Sequence, residues 1–160
     1  MGRELVFLRH GDAAHEAVSD AERVLTPEGR AAVVDVASKL KNRGIVIERA
    51  LVSTAARTRE TFDVWSKEFG FQGQAYHDKS LYLAASQGIL ELISCQPSAS
   101  KSIVIIGHNP GLSDLTRMLT GKRVMLPPAG AAVMSGDLSR WSEIRSLPSL
   151  LNVDILNPEN

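Results

Sequence analysis

Leu5-Val6-Phe7-Leu8-Arg9-His10-Gly11-Asp12 is the stretch on which the reading of this chain turns. Its four leading apolar residues read as a short buried strand, and Gly11 marks a sharp turn directly after it. A strand that ends in Arg9-His10 delivers a fixed cation and an imidazole to the edge of a sheet. In open α/β sheets ligands bind at that carboxyl edge.

Two further strands end in the same unusual way. Ala50-Leu51-Val52-Ser53 is short and apolar, and Arg57 follows in the first turn of the next helix. Ser102-Ile103-Val104-Ile105-Ile106 is β-branched and apolar on both faces, as suits the centre of a sheet covered on both sides, and runs into Gly107-His108-Asn109-Pro110-Gly111. Parallel strands share one carboxyl side, so Arg9, His10, Ser53, Arg57, His108 and Asn109 can converge although far apart in sequence. Two arginines and two histidines around one cavity form a phosphoryl clamp. Arginine's planar fork matches phosphate oxygens and stays charged, and helix N-termini after Ser53 and Asn109 add backbone donors.

Helices fill the gaps between these strands. Thr26-Pro27-Glu28 opens one, with Thr26 as cap, that runs to about Asn42, with Gly44 as a left-handed exit. Another passes through Thr61 and Trp65 to Gly70, with Phe62, Trp65 and Phe69 at core spacing. Gln74–His77 reads as a strand, Gln87–Cys95 as a helix with Cys95 buried in it, and Leu112, Leu115 and Leu119 have helical spacing. Ala131–Leu138 and Arg140–Arg145 read as a terminal antiparallel hairpin. The expected fold is a three-layer α/β/α sandwich around a mostly parallel, mixed-edge sheet, one domain over residues 1–160.

Composition narrows the partners. Eighteen basic and eighteen acidic residues cancel, so no global field draws the chain to nucleic acid or an anionic membrane, and phosphate affinity must be local. No apolar run approaches the ~20 residues of a membrane span, and no signal peptide is expected. The single cysteine, Cys95, permits no intramolecular disulfide and fits a reducing cytoplasm. The four histidines lack metal-ligand spacing, so neither metal nor cofactor is expected; His15 reads as loop and His77 as the end of an edge strand.

These motifs resemble the histidine phosphatase superfamily, and most closely its small SixA-type phosphohistidine phosphatases. Leu8–Ala13 is similar to the family's opening motif, Leu25-Thr26-Pro27-Glu28-Gly29 to its L-T-x-x-G helix start, Ser53–Thr61 to its S-x-x-x-R-x-x-x-T segment, and Ile105–Pro110 to its second histidine motif. The four matches keep the family's order and spread over residues 5 to about 138.

The resemblance implies a phosphoglycerate mutase-like fold and His10 as a nucleophile that becomes phosphorylated, with Arg9, Arg57 and His108 on the phosphoryl oxygens. Asn109, Ser53 and Asp12 are further candidates for phosphate contact. Larger members carry a lid insertion with a carboxylate that protonates an alcohol leaving group. Here Lys79-Ser80-Leu81-Tyr82-Leu83-Ala84-Ala85-Ser86 contains none, although Asp12 and Asp78 remain possible acids. An imidazole, with a reference pKa of about 6.5, leaves with less help than an alkoxide.

The expected activity is therefore dephosphorylation of a phosphohistidine-bearing protein. A small-molecule phosphomonoesterase and a phosphate-binding module without turnover are the alternatives.

Overall fold

The apolar positions of the first strand alternate between two cores. In a computed structural model that describes residues 2–146 and 151–159, β1 (Arg3–Arg9) sends Leu5 and Phe7 to one face of the sheet and Val6 and Leu8 to the other. The remaining elements are α1 (Pro27–Asn42), β2 (Arg49–Val52), α2 (Ala56–Phe69), β3 (Gln74–His77), α3 (Ser86–Ser94), β4 (Ser102–Gly107), α4 (Gly111–Thr120), β5 (Ala131–Gly136) and β6 (Asn152–Leu156). Three short 3-10 turns, Asp20–Glu22, Lys79–Leu81 and Trp141–Ser146, complete the set among the described residues.

The sheet order is β3-β2-β4-β1-β5-β6. β3, β2, β4 and β1 run parallel, whereas β5 and β6 are antiparallel additions at one edge. Helices α1 and α2 cover the Val6, Leu8, Val104 and Ile106 face; α3 and α4 cover the Leu5, Phe7, Ile103 and Ile105 face. Every residue of β4 is buried, which is why it reads as an unbroken apolar run. The result is a three-layer α/β/α sandwich with a mixed edge. Among the described residues, no helix is long and apolar enough to cross a membrane.

Local signals explain the helix ends. Thr26 accepts from the Gly29 N–H at 2.9 Å as the cap of α1, and Gly44, at φ 74°, turns the chain out after it.

Two expectations need correction. Arg140–Arg145 is not a strand; Arg140 is a bend and the residues after it enter the 3-10 turn at Trp141–Ser146, and β5 pairs instead with β6, Ala131 opposite Leu156. Trp141 and Ile144 are three apart and both buried, a helical spacing, and Glu143 accepts from the Ser139 and Arg140 N–H groups at the start of the turn. Cys95 is exposed rather than buried. Helix α3 turns Ile89, Leu90 and Ile93 inward, and a residue two positions past Ile93 faces the other way.

Candidate active site

The sheet order sets the site. Arg9 pairs with Gly107 at the ends of β1 and β4, and the His10 N–H bonds the Gly107 carbonyl at 3.1 Å. On the other flank, the Ser53 N–H bonds the Ile106 carbonyl at 3.0 Å. His10, His108 and Ser53 therefore emerge abreast, with the two imidazole centroids 5.4 Å apart.

His10 is held in one tautomer. Its Nδ1 lies 2.7 Å from the Gly11 carbonyl, which can only accept, so Nδ1 carries the proton and Nε2 keeps a lone pair. Burial pushes its pKa down from 6.5 to about 4; Arg57, Arg9 and Arg23 push the same way, while the Gly11 carbonyl opposes them. The ring is neutral near pH 7. The turn that carries it sits close against α1: a Cβ on Gly29 would lie 2.2 Å from the Asp12 carbonyl oxygen, and one on Gly11 2.8 Å from that of Gly29. Thr61 fastens the turn to α2, accepting from the Gly11 N–H at 3.1 Å and donating to the Arg57 carbonyl at 2.7 Å.

His108 is buried between Ser53 and Arg57. Arg57 Nη2 can only donate, so His108 Nδ1 accepts from it at 3.4 Å and Nε2–H donates to Ser53 Oγ at 2.7 Å. Burial, then His10 and Arg57, lower its pKa from 6.5 to about 3, with Asp20 opposing. Arg57 is itself buried, in the first turn of α2, where a cation opposes the helix dipole. Asp20 compensates: its backbone carbonyl accepts from Nη1 at 2.8 Å and its carboxylate from Nη2 at 3.0 Å. The same carboxylate accepts from the Tyr82 hydroxyl and from Arg23, and with Arg57 these hold it well below the usual carboxylate range. The Tyr82 ring stands edge-on to His108 at 5.5 Å.

Arg9 closes the other side, donating from Nη1 to the Leu126 carbonyl at 2.9 Å. Among the described residues, the buried Nε–H groups of Arg9 and Arg57 have no acceptor. Two buried cationic donors lacking acceptors beside two neutral imidazoles make a site chemically suited to an oxyanion.

Arg9, His10, Ser53, Arg57 and His108 thus come together. Asn109 lies beside them, but its amide is spent on scaffold: Nδ2 donates to the Leu126 carbonyl at 2.8 Å and Oδ1 accepts from Ser113 Oγ at 2.8 Å. Asp12 is turned away, its carboxylate accepting from Thr26 Oγ1 at 3.1 Å over the start of α1. Asp78 caps the turn at Lys79–Leu81 through the Ser80 N–H at 2.8 Å. Both carboxylates proposed as acids are therefore occupied locally. Arg59, His15 and His77 are exposed, and among the described residues no three His, Cys, Asp or Glu form a metal-binding group.

Comparison with known proteins places this geometry. No family model matches the chain. An uncharacterized chloroplastic protein of Arabidopsis thaliana is 30% identical over 158 residues, covering 92% of this chain and 72% of that one. Phosphohistidine phosphatase SixA of Escherichia coli is 40% identical over 60 residues, 38% of this chain and 37% of that protein. A crystal structure of a protein assigned to the SixA phosphohistidine phosphatases, from Agrobacterium tumefaciens, superposes with a TM-score of 0.83 at 26% identity, covering 98% of both chains. The chain belongs to the histidine phosphatase superfamily.

It is a phosphatase of that superfamily, with the phosphoglycerate mutase-like fold and no large insertion. Of the residues gathered here, the sequence motifs leave out Asp20 and Tyr82. Asp20 lies ten residues past His10 in a polar loop without periodicity, and Tyr82 falls in the carboxylate-free stretch Lys79–Ser86. A buried arginine at a helix start, which demands an acidic partner, is the signal that leads to Asp20.

Proposed function

We propose that the protein hydrolyses phosphohistidine carried on another protein, through a covalent phosphohistidine on His10. The observation that carries the reading is the 2.7 Å bond from His10 Nδ1–H to Gly11, which leaves a neutral Nε2 lone pair on a ring that feels the charges of Arg57 and Arg9. Nε2 attacks phosphorus, forming a P–N bond as the bond from phosphorus to the substrate imidazole breaks. The departing electron pair stays on the substrate nitrogen. A substrate ring already protonated on its distal nitrogen leaves as neutral imidazole.

Arg9 and Arg57 neutralise the equatorial oxygens, the main requirement of phosphoryl transfer. His108 stays neutral, its Nδ1 accepting from Arg57 Nη2 and its Nε2–H donating to Ser53 Oγ, and so holds the guanidinium beside the phosphoryl group. Water then attacks the phosphoenzyme, breaking the new P–N bond, returning the electron pair to His10 and releasing inorganic phosphate.

The substrate class follows from the acid. Among the described residues near the clamp, the carboxylate that faces Arg57 is Asp20, engaged by Arg23, Arg57 and Tyr82 and held deprotonated. It carries no proton for an alkoxide. A phosphoramidate needs none.

The test compares initial rates on phosphohistidine, phosphoserine, phosphotyrosine and sugar or nucleotide monophosphates, with acid-quenched trapping of phosphoenzyme. Preference for phosphohistidine and a trapped intermediate absent from His10→Ala support the reading; a large preference for esters, or an active His10→Ala protein, rejects it.

A further inference from the structure

Three large apolar side chains stand in solvent on three separate loops at the carboxyl edge: Val18 is 93% exposed, Met125 73% and Leu83 56%. Each lies within two positions of a residue that touches the clamp. Val18 is two positions before Asp20, which grips Arg57. Leu83 follows Tyr82, whose ring meets His108. Met125 precedes Leu126, whose carbonyl accepts from both Arg9 and Asn109. Leu83 also has φ 51°, a conformation that costs a branched side chain steric strain and is kept while the side chain faces water.

From this juxtaposition we infer that Val18, Leu83 and Met125 form an apolar docking rim for a folded protein that presents the phosphohistidine. The inference rests on the phosphohistidine reading above and adds how the carrier is recognised. The clamp lies at the carboxyl edge from which these loops project. The chain's net charge is zero, so long-range steering contributes little to its capture. A sugar or nucleotide phosphate presents mainly hydroxyls and charge, for which three apolar side chains are poor partners. A protein face with its own apolar patch around the modified histidine buries them, and a few such side chains dominate binding at protein interfaces.

The test uses the full chain carrying Val18→Ser, Leu83→Asn and Met125→Gln together, with asparagine chosen because it tolerates positive φ. Substrates are the free amino acid phosphohistidine and a panel of folded domains phosphorylated on a surface histidine with phosphoramidate. The expected result is a loss of about tenfold or more in kcat/KM, through KM, on the preferred protein substrate, with free phosphohistidine unchanged. Equal losses on both substrates, or no loss on any protein, overturn the rim. Wild-type protein that hydrolyses free phosphohistidine but no phosphorylated domain also overturns it while leaving the chemistry standing. Wild-type protein inactive on both rejects the phosphohistidine reading and the rim with it.

Discussion

Asp20 holds the guanidinium of Arg57 with two of its own oxygens, the backbone carbonyl at 2.8 Å from Nη1 and the carboxylate at 3.0 Å from Nη2. The pair joins the loop after β1 to the first turn of α2, and leaves Arg57 Nε without an acceptor among the described residues. Asp20→Asn keeps the backbone contact and removes the charge. Arg57 then loses its fixed orientation, and kcat falls by about tenfold, a modest figure for a misplaced group. The Asp20 hydrogen bond is the largest cause raising the Tyr82 pKa, so one tyrosine of the variant titrates at lower pH than in the parent. Ultraviolet difference titration reads that change; an unmoved tyrosine refutes the coupling.

Acid behaviour follows from the two histidines. Both pKa values are pushed down from 6.5, to about 4 for His10 and about 3 for His108. Between 6.5 and those values the unfolded chain binds more protons than the folded one, so stability falls as pH drops through that window. Above 6.5 this contribution is complete and flat. Heteronuclear NMR titration of the imidazoles is expected to show His10 and His108 unprotonated at pH 5.5. A His10 midpoint near 6.5 contradicts the desolvated site.

Ser53 acts on His108 by accepting its Nε2 proton at 2.7 Å in a fully buried setting. Ser53→Ala leaves that N–H buried without its partner, a cost of about 1–3 kcal/mol read by denaturant unfolding. The ring is then free to turn, and transition-state stabilisation suffers with it. Ser53→Thr, which retains the hydroxyl, is expected to recover more activity than Ser53→Ala if the hydrogen bond matters.

The legible parts of this molecule are those written in local pattern. Val104 and Ile106 face one core and Ile103 and Ile105 the other, so β4 reads as a central strand without further information. Arg9, His10, Ser53 and His108 sit directly at strand ends, and parallel pairing carries them to one edge. Asp20 and Asn109 were not legible in the same way. Asp20 is placed by a loop whose path depends on Leu25 bonding Glu60 and on Arg23 bonding Ala14, contacts with no sequence period. Asn109 sits in the second histidine motif, yet Ser113 and Leu126 consume its amide. Proximity in sequence marks a neighbourhood and not a hydrogen-bond partner.

Gly29 shows the same point in an energetic form. In an ordinary helix, replacing glycine by alanine gains up to about 1 kcal/mol. Here a Cβ would stand 2.2 Å from the Asp12 carbonyl oxygen, a backbone atom that cannot swing aside. The turn bearing His10 must then lift off α1, and the expected outcome for Gly29→Ala is a loss of about 1–3 kcal/mol in place of a gain. Because His10 Nδ1 is tethered to Gly11 in that turn, catalysis should fall along with stability. Gly88→Ala, in α3 where the added Cβ meets nothing closer than 3.9 Å, is the control and should be neutral or stabilising. Equal stability changes for the two variants would mean that the approach of Gly29 to Asp12 does not constrain the site.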